Sequence, residues 1–233
     1  MADDSIPRRG FLTGAGAATA GAAALTSGLP QAQAAEPGNT PAETWLVLTA
    51  DEAAFFSAAA DTMIPADALS PSGTECGVPV FIDRQLAGAF GAGARMYRAG
   101  PFQQGTPEQG YQLPLTPHQF FVAGIRAANA WSQKTYGKSF DLLSPEQRAE
   151  ALAAMQEGKV EFDAFESRLF FQRLLQITME GFFSDPIYGG NRNKASWRML
   201  GYPGLPATYA DKIDEYRDKR YVVAEPLSIA DFS

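Results

Sequence analysis

Three times this chain writes the same helix start, a hydroxyl residue followed three positions later by Glu or Gln. The first is Thr49 with Glu52, the second Thr116-Pro117-His118-Gln119, the third Ser144-Pro145-Glu146-Gln147. In such a pair the hydroxyl accepts from the third helical N–H and the Glu or Gln side chain accepts from the cap's own N–H, so two otherwise orphaned donors are satisfied. Proline in the first turn suits a position whose N–H would have no partner anyway. Behind each start, apolar residues recur on one face: Phe55, Phe56, Ala59 and Met63 as far as Pro65; Phe120, Phe121, Ile125, Ala128 and Trp131; then Leu152 and Met155 before Gly158. A second helical stretch is expected from Val80 to Leu86. Phe162, Phe165, Leu169, Leu174 and Ile177 form a further stripe that runs to Gly181. No run alternates with period two for long enough to demand a sheet. The expectation is an all-α fold, a small irregular helical domain with long ordered loops.

Among those loops, Pro65–Gly77 is rich in Pro, Ser and Gly, and Gly88–Gly110 carries too much Gly and Gln for a helix. The latter reads as an ordered surface excursion or lid, with Met96 and Tyr97 as its packing residues. The chain has 233 residues, 45% of them hydrophobic, which is ample for one core and suits a single domain. Its formal net charge of −7 argues against nucleic acid, whose phosphates call for clustered Lys and Arg.

The opening residues read as an address. Arg8 and Arg9 precede Phe11-Leu12 and an uncharged Ala/Gly-rich stretch to Leu29, and Ala32-Gln33-Ala34 forms an A-x-A cleavage pattern before Ala35. This order predicts a cleavable twin-arginine signal peptide over residues 1–34 and a mature single domain over 35–233. Gly14, Gly16 and Gly21 dilute the stretch below what a membrane anchor needs. Twin-arginine export carries folded cargo, often because a cofactor is inserted first, and the chain offers no evident cofactor motif. The expected cofactor therefore belongs to a partner carried along on this leader.

Single residues carry little chemistry of their own. One histidine, His118, sits in a first helical turn with no nucleophile nearby in sequence, and one cysteine, Cys76, cannot close an internal disulfide. Cys76 is either buried and free or bonded to another chain. Asp141, Glu146, Glu150, Glu157 and Glu161 read as a solvated acidic face. Gly14-Ala15-Gly16 and Gly91-Ala92-Gly93 lack the strand and third glycine of a nucleotide loop. No catalytic, cofactor-binding or metal-binding residue is expected in this chain.

The densest segment begins where the last long helix stops. Glu180-Gly181-Phe182-Phe183-Ser184-Asp185-Pro186-Ile187-Tyr188-Gly189-Gly190-Asn191 combines turn formers with three aromatics, and Lys194 to Gly204 adds Trp197 and Tyr202. Asp185 before Pro186 suits an Asx turn, and Gly189-Gly190 permits positive φ. With the pattern F-S-D-P-x-Y-G-G-N at Phe183–Asn191, Trp197 and the Gly201-Tyr202-Pro203-Gly204 turn, the chain resembles the small subunit, subunit 3 or gamma, of the gluconate 2-dehydrogenase family. Asp61-Thr62-Met63-Ile64-Pro65, Glu75-Cys76-Gly77-Val78 and Phe81-Ile82-Asp83 are similar to that family's amino-terminal pattern.

The resemblance implies a non-catalytic subunit of a heterotrimeric dehydrogenase at the periplasmic face of the bacterial inner membrane. A large flavoprotein of the glucose–methanol–choline type would carry FAD and oxidise a sugar or sugar acid. A multihaem cytochrome c subunit would pass electrons to quinone, and membrane association would come through these partners. The small subunit would be the export escort and stabiliser of the flavoprotein. Residues expected at the partner interface are Phe183, Asp185, Tyr188, Asn191, Arg192, Trp197, Tyr202 and Cys76, aromatic and arginine side chains being common interface anchors. The competing expectations are a periplasmic assembly factor that releases its client and a stand-alone carbohydrate-active protein.

Overall fold

In a computed structural model, residues 44–103, 105–106, 109–205, 208–223 and 225–232 are described. The leader, with Arg8, Arg9 and Ala34, lies outside the described residues. Six α-helices form among them, with no strand and a single isolated bridge between Gly204 and Leu227: α1 Ala50–Met63, α2 Val78–Ala87, α3 Pro117–Tyr136, α4 Pro145–Gln156, α5 Ser167–Phe183 and α6 Ala195–Leu200. The helical expectation is met. No described helix is long and apolar enough to cross a membrane.

All three capping boxes close as read. Thr49 accepts from Glu52 N–H at 3.3 Å, and Thr116 and Ser144 accept from Gln119 and Gln147 at 3.2 and 3.3 Å. Each helix then turns its apolar face to a core dominated by phenylalanine. Phe55 lies 4.7 Å from Phe140 and 6.1 Å from Phe170, and Phe120 packs against Phe121, Phe165 and Phe170. These rings bury large apolar areas and favour offset or edge-on contacts, which holds the helices at fixed angles.

Three boundaries differ from expectation. The helix α2 starts at Val78, with Pro79 in its first turn and Gly77 capping it at φ 80°. The helix α5 starts at Ser167, so Phe162 and Phe165 lie in the preceding bend. Phe165 stacks on Phe120 at 4.3 Å and Phe162 packs on Phe170 at 5.6 Å, so their spacing reflects pocket filling from a loop. The helix also continues through Gly181 to Phe183. A side chain at Gly181 would meet the Phe81 ring at 2.9 Å, so this glycine serves the approach of α5 to α2.

The described residues of 88–110 form no α-helix, as expected. Met96 packs, lying 3.8 Å from the Tyr111 hydroxyl, whereas Tyr97 stands 85% exposed and does not. The acidic residues Glu146, Glu150, Glu157 and Glu161 are exposed and Asp141 is half-buried.

One buried carboxyl organises the entry to the domain. Asp83 on α2, 2% exposed, accepts from the backbone N–H groups of Leu46, Val47 and Leu48 at 2.7, 3.0 and 3.0 Å. Leu46–Leu48 lie outside any helix or sheet that could take their donors, and the carboxyl takes all three.

Candidate functional site

The loop after α5 is folded around its own polar groups. Asp185 Oδ1 accepts from Ile187 N–H at 3.0 Å, the expected Asx turn, and Gly189 follows at φ 100°. Gly190 has ordinary φ; its role is proximity, because a Cβ there would overlap the carbonyl of Gly181. The Ser184 hydroxyl donates to that same carbonyl at 3.0 Å.

Asn191 closes the loop. Fully buried at φ 46°, it donates through its amide to Ser184 O at 2.9 Å and accepts at Oδ1 from both Ser196 N–H and the Ser196 hydroxyl, at 2.9 and 2.8 Å. Trp197 turns inward as well, and its indole N–H donates to Phe183 O at 3.0 Å. The loop also docks on α2: Arg84 donates to Ile187 O at 3.3 Å, and Arg192 N–H donates to Cys76 O at 2.9 Å.

The carboxy-terminal tail returns to this loop. Asp185 Oδ2 accepts from Ile229 N–H at 2.9 Å; Leu205 N–H donates to Leu227 O at 2.8 Å and Leu227 N–H donates to Pro203 O at 3.3 Å, on either side of Gly204. Lys194 pairs with Asp231 at 2.8 Å and Glu225 at 3.6 Å, while Arg198 pairs with Glu225 at 2.6 Å. The hydrogen bond to Asp231 raises the pKa of Lys194; the bonds from Lys194 and Arg198 lower those of Asp231 and Glu225.

The signs fix a pH window for this latch. The depressed carboxyls stabilise it above their ordinary values, and that contribution is lost as pH falls through the lowered ones. The raised lysine stabilises it below its ordinary value, and that contribution is lost as pH rises through the raised one. The latch is therefore tightest between about pH 5 and pH 10. We expect the exchange protection factor of the Ile229 amide to fall as pH drops from 6 to 3 while those of α1 amides hold. Equal behaviour of the two sets would refute the latch.

The expected interface residues thus divide. Tyr188 and Tyr202 stand 48% and 43% exposed, and Asp185, Arg192 and Phe183 are half-buried. Asn191 and Trp197 are interior braces, their polar atoms spent within the loop. Cys76 is a free cysteine, 1% exposed, its thiol 3.6 Å from Pro71 O, and burial pushes its pKa up. Its burial within this chain fits the buried reading of Cys76. A thiol reagent should therefore label it only on unfolding, and labelling of the native chain at the rate of a free thiol would contradict that placement. Among the described residues no three His, Cys, Asp or Glu side chains gather as a metal site.

Comparison with known families decides what this loop belongs to. The model described as gluconate 2-dehydrogenase subunit 3 matches residues 50–204, two-thirds of the chain. The chain belongs to the gluconate 2-dehydrogenase subunit 3 family. Searches of curated proteins and of solved structures returned no match. The family segment of this subunit runs from the first capping box to Gly204, so it includes the braced loop and stops short of the latched tail. Membership makes the chain one subunit of a multi-subunit dehydrogenase. Sequence reasoning missed Asp83 as an anchor and the tail as a latch; the only signal for the first was its place in the Phe81-Ile82-Asp83 pattern.

Proposed function

We propose that this chain is the non-catalytic small subunit of a periplasm-facing heterotrimer, escorting and stabilising a glucose–methanol–choline type FAD flavoprotein that oxidises a sugar acid or sugar. A multihaem cytochrome c partner carries the electrons to quinone and supplies the membrane attachment. The twin-arginine leader with Arg8 and Arg9, cut after Ala34, exports the folded pair. Family membership supports a role within a complex, and one structural observation supports the loop as its docking face. The interior of the loop is rigidly braced by Asn191 and Trp197, while Ile187, Tyr188 and Tyr202 remain outward, joined by Leu227 and Ile229 of the tail. Outward apolar and tyrosyl side chains on a pre-organised backbone lose little entropy on docking.

The test is recovery from native membranes through a tag on a flexible linker at the carboxy terminus. A flavin band, c-type haem bands and two larger chains in fixed ratio are expected. A colourless monomer would leave an assembly factor or an independent periplasmic protein. The double variant Tyr188→Ala/Tyr202→Ala should keep its helical circular dichroism and recover at least about tenfold less flavoprotein, on the scale of two interface anchors. Full recovery would move the docking face elsewhere. Mutation of Arg8 and Arg9 should strand the flavoprotein in the cytoplasm.

A further inference from the structure

Phe90, Met96 and residues 109–111 lie beside α3 and α5 and border a cavity of about 240 Å³. Its walls are apolar and largely aromatic: Phe90 and Met96 from the excursion, Tyr111, Phe120 and Phe121, with Ile177 from α5. The Tyr111 and Phe120 rings stack on each other at 4.8 Å with only 9° between their planes, so this aromatic wall of the cavity is held rigid.

A polar rail runs along one side. Arg173 Nη1 donates to Gln176 Oε1 at 2.7 Å, and Gln176 Nε2 donates to Glu180 Oε1 at 2.8 Å; all three residues line the cavity. The guanidinium carbon of Arg173 lies 6.0 Å from the Tyr111 ring centre. Its hydrogen-bond partner in the rail is neutral, it takes no part in the ion pairs of the described residues, and only Nη1 is spent on that partner, which leaves Nη2 open. A half-buried cation with an open donor beside an apolar chamber attracts an anion.

We infer that this cavity binds an aromatic monocarboxylate, its ring against the apolar, aromatic wall and its carboxylate at Arg173. The rail sets the charge. A neutral ligand leaves the guanidinium unpaired, and a second carboxylate on the far side of the ring meets Glu180. This site is separate from the docking loop, and its fate does not depend on that reading.

Fluorescence titration of the full chain tests it with three probes of one shape: 2-naphthoate, 2-naphthamide and 2,6-naphthalenedicarboxylate. One-to-one saturable binding of 2-naphthoate is expected, with the other two at least tenfold weaker. Arg173→Gln should bring 2-naphthoate down to the amide's affinity, and Met96→Trp, which fills the chamber from its half-exposed rim, should abolish both. No saturable signal up to millimolar naphthoate overturns the site, and equal affinity for the amide overturns the carboxylate assignment. The probe series on the unaltered chain decides the charge preference without either variant.

Discussion

Replacing Asp83 with alanine lowers the melting temperature by on the order of 10 °C. Three backbone donors, from Leu46, Val47 and Leu48, lose their acceptor at once. At roughly 1–3 kcal/mol for a buried donor left unpaired, and with partial rescue by water entering at the half-exposed segment, the loss is about 3–5 kcal/mol. A domain of this size shifts by about 2–4 °C per kcal/mol. The loss is also local. Amide protection at Leu46–Leu48 should collapse, whereas α4, which has its own capping box, should stay protected up to global unfolding. Asp83→Asn keeps one acceptor but turns an N–H toward an N–H, so it should fall between the parent and the alanine variant. A melting temperature unchanged in Asp83→Ala would show that these bonds are replaced by water at no cost.

The second large effect belongs to Asn191. Alanine there removes the acceptor of Ser196 N–H and the donor to Ser184 O, and it leaves a β-carbon at φ 46°. The expected loss is about 3 kcal/mol, of which the left-handed backbone accounts for about 1. Asn191→Gly should therefore be about 1 kcal/mol milder than Asn191→Ala, although both lose the same hydrogen bonds. Asn191→Asp keeps the acceptor for Ser196 but sets an oxygen against the Ser184 carbonyl, and should be at least as damaging as alanine. Denaturant midpoints of the three variants rank these contributions. If glycine and alanine gave the same midpoint, the backbone conformation at Asn191 would carry no cost.

What could be read in the sequence was local. The three capping boxes join residues three apart, so Thr49, Thr116 and Ser144 announce their helices without reference to the fold. The Asx turn at Asp185 is legible for the same reason. Non-local packing produced the misreadings. Phe162 and Phe165 have helical spacing yet fill the core from a bend, and Gly181 looks like a stop although it only makes room for Phe81. Asn191 and Trp197 have polar partners, Ser184 O, Ser196 and Phe183 O, that the loop itself brings within reach, which sequence spacing does not show. Asp83 gives no sign in sequence that its three donors lie 35 to 37 residues before it.

The latch has a consequence for the order in which the domain is completed. Capping boxes can close as each stretch emerges during synthesis, since every contact they need is within one turn. The bonds that join Asp185 with Ile229 and Lys194 with Asp231 span 44 and 37 residues, so their second partners are made well after the loop itself. The loop's own braces at Asn191 and Trp197 can therefore close before the tail that fastens the loop has been made. A product truncated at Gly204 keeps every residue of the family segment and yet lacks the tail that fastens it.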